Sequence, residues 1–198
     1  MGLRERQRAF TEETIRLTAV RLFLARGSAA TTVDEIAALA GVSSRTFFRY
    51  FATKESAALP SLAPFVEVLG GVSPTVDSLP GLLADVDDAL AGLIEETTIL
   101  DAAASRDFFM LLAQDTAVRD AAGTLLIRLT DLLLATLRRA APQADALTLR
   151  LAAGHRVAVF QAVWSHWHCA LRDAGGDVEA VELPSVIYRR AVALPRQA

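Results

Sequence analysis

Residues 32–50 contain two short amphipathic stretches separated only by Gly41-Val42-Ser43, and few folds accommodate that arrangement. Thr32-Val33-Asp34-Glu35 forms a capping box, in which the threonine hydroxyl serves the backbone three residues on and the glutamate reaches back. Val33, Ile36, Ala37 and Ala40 then mark one face of a helix that ends at Gly41, because glycine tolerates the backbone a helix stop requires. Ser43 offers a second capping hydroxyl for a helix over 44–50. Two short helices joined by so tight a turn have the helix-turn-helix geometry that enters a DNA major groove.

Helical periodicity continues on both sides. Ile15, Ala19, Leu22 and Phe23 share one stripe of a helix expected over 12–26, with Gly27 as its stop. Thr53 can cap a fourth helix starting at Lys54, which Pro60 and Pro64 should kink or break, so 54–69 is expected to be a connector. Residues 70–80 have loop composition, and further helices are expected over 81–97, 106–113, 116–140, 144–174 and 184–194. No sustained period-two alternation and no Asn-Gly or Asp-Gly turn argues for strands. The expected fold class is all-α: an N-terminal three-helix helix-turn-helix DNA-binding domain, 1–53, followed by a helical ligand-binding and dimerisation bundle, 54–198.

A chain of 198 residues, 53% apolar, can bury a substantial core. Arg128 and Asp131 interrupt even its Leu-rich run, so no membrane span is expected. Residues 1–8 carry Arg4, Arg6 and Arg8 with no apolar segment behind them and read as a polar arm, not a signal peptide. The single cysteine, Cys169, agrees with a reducing compartment, and the cytoplasm is the expected location. Residues 1–54 hold nine basic side chains against five acidic ones, whereas the remainder holds eleven against eighteen. Only the first segment suits a polyanion.

Residues 31–59, TTVDEIAALAGVSSRTFFRYFATKESAAL, resemble the TetR family of bacterial transcriptional regulators, together with Arg21, Leu22, Phe23, Arg26 and Gly27 upstream. The likeness covers residues 10–59, and the form 45–51 is similar to an actinobacterial branch that includes regulators associated with mycofactocin. At 100° per residue, Ser44, Arg45, Phe48 and Arg49 span one half of the third helix, while Phe47 and Phe51 face away as core. The first four are the expected base-contacting residues. Arg45 can pair bidentately with guanine, or alternatively meet a phosphate. Thr32, Ser43, Thr46, Tyr50 and Lys54 are expected on the sugar-phosphate backbone, as the resemblance implies. Many relatives have Gly at the position of Arg45 and Tyr at that of Phe48, so Phe48 lacks a hydroxyl and is left with thymine-methyl contact.

The resemblance further implies a homodimer on a palindromic double-stranded operator and a small-molecule effector. Residues 147–171 are apolar nearly all round. Val159, Val163, His166 and Ala170, with Ile187 and Ala191, are therefore the candidate dimer interface, although burial inside one chain would explain the same pattern. The pocket would draw on Phe65, Leu69, Phe108, Phe109, Leu112, Trp164 and Trp167, with Arg106, Asp107 and His168 as polar anchors; such aromatics also serve as ordinary core. The expected function is a repressor released by a largely apolar ligand. A co-repressed regulator or an activator is the alternative, and a helical lipid- or acyl-binding protein without DNA function the distant one.

No catalytic constellation or phosphate loop is present in the sequence, and no cofactor is expected. His166 and His168 face apart on a helix, and His155 lies about 16 Å from His166, so no metal site is expected. The paired carboxylates Asp87-Asp88 and Glu95-Glu96 are expected to be solvated.

Overall fold

The computed structural model describes residues 2–73, 78–100 and 102–193. Every regular element among them is a helix. The chain divides into two compact units: Met1–Pro60 with Ala103–Leu125, and Ser61–Ala102 with Leu126–Ala198.

The first unit opens with α1 (Leu3–Arg26), then α2 (Val33–Leu39), α3 (Ser44–Tyr50) and the single turn α4 (Lys54–Ala57). α1 starts nine residues before the expected residue 12, because Arg6 N–H already donates to Gly2 O at 3.1 Å and Arg, Glu and Gln favour helix. α2 ends in a Schellman arrangement: Val42 N–H donates to Ala37 O at 2.9 Å and Gly41 N–H to Ala38 O at 3.2 Å. Gly41 has φ +70, which a side chain would strain. Ile15, Ala19 and Phe23 meet Ile36, Ala37 and Phe47 in one buried cluster.

Ala57, Ala58 and Leu59 join that cluster, as do Leu111 from α7 (Ala102–Gln114) and Val118 and Ala122 from α8 (Thr116–Ala140). The N-terminal unit therefore takes in more than residues 1–53: three α-helices of this size enclose too little apolar surface, and the added side chains complete it. Asp115 ties the two sequence stretches together. Its carboxylate accepts from Ser28 N–H at 2.8 Å and from Val118 N–H, capping α8, at 3.1 Å. Burial pushes this carboxyl up, but the hydrogen bonds from Ser28, Val118 and Ala117 outweigh it and hold it below the ordinary aspartate value.

The second unit comprises α5 (Ala63–Gly70), α6 (Leu79–Leu100), the later part of α8, α9 (Ala146–Asp173) and α10 (Pro184–Ala193). The stretch 54–69 expected as a connector carries α4, which starts at Lys54 under the Thr53 cap as expected, and a further helix, α5. Pro64 stands in the first turn of α5, where its missing N–H costs nothing. Residues 74–77 of the expected loop lie outside the described residues. Leu82, Val86, Leu90 and Ile94 of α6, Leu133 and Leu137 of α8, and Leu149, Ala153 and Trp167 of α9 are buried.

The expectation that Asp87 is solvated is overturned, although Asp88, Glu95 and Glu96 are exposed. Asp87 lies on α6, against which α10 packs, and it survives burial by pairing with Arg156 of α9. Arg156 also donates to Ala152 O and Leu83 O, and Tyr188 donates to Asp87. Burial, followed by the Asp87 charge, raises the Tyr188 hydroxyl far above its ordinary value. It therefore stays a protonated donor.

Candidate nucleic-acid interface

The apolar anchor of α3 is Phe47. Phe47 is completely buried, and Phe48 meets it edge-on with ring centroids 5.5 Å apart. Phe51 also packs against Phe47, its ring tilted at a centroid distance of 5.7 Å, and remains half-buried. With Phe47 facing inward, the 100° step places Arg45, Phe48 and Arg49 outward, and all three are exposed. Phe48 is 57% exposed, a large apolar side chain left bare beside two guanidinium groups. No ion pair with a described carboxylate engages Arg45 or Arg49. The Arg49 guanidinium instead lies 5.2 Å over the Tyr50 ring, which orients its plane.

The hydroxyls around this face are largely committed to the scaffold. Ser43 caps α3 by accepting from Thr46 N–H at 3.1 Å, and its own hydroxyl donates to Thr46 Oγ1 at 3.0 Å. Ser44 donates to Asp34 Oδ1 at 2.5 Å, fastening α3 to α2. Thr32 and Glu35 complete the capping box, with Thr32 N–H donating to Glu35 Oε2 at 2.8 Å and Glu35 N–H to Thr32 Oγ1 at 3.2 Å. Hydrogen bonds from Thr32, with Arg26 beside it, hold the Glu35 carboxyl below the usual glutamate value.

Lys54 is placed differently from a free phosphate ligand. Its ammonium donates to Ser28 O at 2.7 Å and Thr31 O at 2.9 Å, tying α4 to the loop between α1 and α2. A lysine has three donors, and two are used internally.

A groove beside the face is lined by Arg4, Gln7, Arg8, Arg49 and Tyr50. Sequence reasoning assigned 1–8 to a polar arm and did not place it here. The signal was the spacing of Arg4 and Arg8, which stand on one helical face once α1 is allowed to start at Leu3.

The expected pocket residues fall in both units. Phe108 and Leu112 pack against the N-terminal cluster, with Phe109 5.5 Å from Phe108. Phe65, Leu69, Trp164, Trp167 and His168 belong to the second unit. There Phe65, Phe160, Trp164 and Trp167 form a chain of edge-to-face rings at 5.6, 6.2 and 5.5 Å. Leu69 and Trp167 are completely buried, and the Trp167 indole N–H finds no acceptor among the described residues. Of the expected dimer residues, Val163 and Ile187 are buried within their own unit, Val159, Ala170 and Ala191 are half-buried, and His166 is exposed. The bare face of α9 runs instead through Leu147, Leu151, His155, Ala158, Ala162, His166 and Cys169.

A buried aromatic anchor, a Schellman turn and an outward face with two guanidinium groups define a helix-turn-helix module of the DNA-reading kind. Residues 15–56 match the family model described as "Bacterial regulatory proteins, tetR family". The N-terminal segment of the chain is thus similar to the DNA-binding part of that family. The HTH-type transcriptional regulator TcmR of Streptomyces glaucescens is 44% identical over 66 residues, 33% of this chain and 29% of TcmR. The putative mycofactocin biosynthesis transcriptional regulator MftR of Mycobacterium tuberculosis (strain ATCC 25618 / H37Rv) is 36% identical over 73 residues, 37% of each chain. The chain thus matches about a third of the length of these curated relatives. No helix among the described residues is long and apolar enough to cross a membrane.

Proposed function

We propose that this protein is a sequence-specific DNA-binding transcriptional regulator, acting in the cytoplasm as a homodimer. The single observation that carries the proposal is the outward face of α3: Arg45, Phe48 and Arg49 are exposed together on a helix whose opposite side is locked by Phe47. Guanidinium groups pair with guanine O6 and N7, and an exposed phenyl ring suits a thymine methyl. Two copies are needed to read both halves of a palindrome, with recognition helices about 34–36 Å apart. The bare face of α9, led by Leu147 and Leu151, supports α9 as the pairing surface.

The finer reading is a repressor released by a small, largely apolar ligand. The ring chain from Phe65 to Trp167 and the unsatisfied Trp167 N–H support a ligand with an apolar body and one hydrogen-bond acceptor. Such a ligand changes DNA affinity only by binding two states of the protein unequally.

The test is fluorescence anisotropy on duplexes selected by the protein from a random pool, across several salt concentrations. Tight, steeply salt-dependent binding that Arg45→Ala relaxes toward the random level supports regulation by sequence-specific contact. Failure to enrich any duplex would sink the proposal.

A further inference from the structure

We propose that Arg4, Gln7, Arg8, Arg49 and Tyr50 form a phosphate-gripping groove that takes the DNA backbone outside the base pairs read by α3. This proposal rests on the DNA-binding function above and adds a contact site to it.

The groove joins two distant stretches of sequence within the first unit, the opening turns of α1 and the end of α3. Its described lining consists of three guanidinium groups, one carboxamide and one phenol, with no carboxylate among those described residues. Arg4 and Arg8 stand at i and i+4 on α1, a spacing at which like charges repel and destabilise a helix. Their convergence with Arg49 raises that cost, and no ion pair with a described carboxylate offsets it at Arg4, Arg8 or Arg49. An anion bound between them would remove the repulsion.

The geometry selects the anion. Guanidinium groups match the paired oxygens of a phosphodiester. Arg49 is oriented by the Tyr50 ring 5.2 Å below it, so less freedom is lost when it binds. Gln7 and Tyr50 add neutral donors, the kind that fix register on the backbone without reading bases. Arg45 and Phe48 remain outside the groove lining, so of the outward face of α3 only Arg49 borders both the base-reading side and the backbone grip. A segment of α1 thereby becomes part of the DNA footprint.

The experiment compares the full-length protein with Arg4→Ala/Arg8→Ala and Arg45→Ala. Two duplexes are used: a minimal one selected from a random pool, and the same core extended by several base pairs at each end. The double variant should weaken binding to the extended duplex by about tenfold to a hundredfold and lower the salt slope by about 1 to 2. It should bind the minimal duplex like the unchanged protein and leave base preference intact. Arg45→Ala should do the reverse, relaxing base preference on both duplexes. Both arginines are exposed at the start of α1, and equal thermal melting of the variants confirms that folding is not at issue. Unchanged affinity and salt slope on the extended duplex would overturn the groove while leaving DNA regulation standing. Saturable binding of inorganic phosphate, lost in the double variant with duplex binding unchanged, would assign the groove to a free anion and overturn it likewise. Absence of DNA binding by the unchanged protein would overturn both proposals.

Discussion

Arg156 Nη2 lies 2.7 Å from Asp87 Oδ2 within the second unit, and the two side chains are only 5% and 12% exposed. The pair joins α6 to α9, and Tyr188 extends it to α10 through Asp87. Removing one partner strands the other charge. Arg156→Met or Asp87→Ala should each destabilise the protein by about 3 kcal/mol or more, whereas the double replacement should cost well under the sum. A double-mutant cycle by urea denaturation checks this, and additive losses would mean that the pair is not coupled.

Phe47 and Phe48 are sequence neighbours with opposite duties. Phe47→Ala should cost about 3–5 kcal/mol, because it empties the centre of the N-terminal cluster. Phe48→Ala should leave thermal stability within about 0.5 kcal/mol of the parent, as expected at a surface position, yet reduce discrimination among duplexes. Melting curves paired with anisotropy separate the two, and equal thermal losses would contradict the assignment.

Lys54→Met tests whether the ammonium serves the fold. Losing donors to the Ser28 and Thr31 carbonyls should destabilise the protein by about 1–3 kcal/mol without any DNA present. A variant that melts normally but loses one unit of salt slope would place Lys54 on phosphate instead.

Acid should loosen two helix starts. Asp115 at α8 and Asp145 at α9 both have carboxyls held below the ordinary aspartate range: at Asp115 hydrogen bonds overcome the opposing effect of burial, and at Asp145 the Thr148 backbone N–H leads. A depressed folded-state value contributes stability above the unfolded value, near pH 4, and loses it as pH falls through the folded value. Asp115→Asn keeps an acceptor but removes the titration. Stability measured from pH 6 to pH 2.5 should therefore fall less in that variant, and parallel curves would rule Asp115 out as a contributor.

The helix-turn-helix was legible because its determinants are local. Thr32, Glu35, Gly41 and Ser43 act within three or four residues of themselves, and the structure forms the cap and turn that their spacing implies. The outward placement of Arg45 and Phe48 followed from the helical step once Phe47 was taken as the anchor. The bundle was legible as helices but not as contacts. Asp87 and Asp88 are adjacent acids, and only the arrival of Arg156, 69 positions away, explains why one is buried and the other exposed. Lys54 looks like a surface cation in sequence, yet carbonyls 23 and 26 positions upstream engage it.

The amino-acid sequence by itself determined the helical class, the cap-and-turn of α2 and α3, and which side chains α3 turns outward, because hydrogen bonds and periodicity inside one or two turns suffice. Tertiary structure alone decided that Leu111, Val118 and Ala122 complete the N-terminal core, that Asp87 meets Arg156, and that Arg4 and Arg8 converge with Arg49. Each of those relations joins residues far apart in the chain, where the packing of whole helices to bury their apolar faces, and not any local preference, decides which side chains come together.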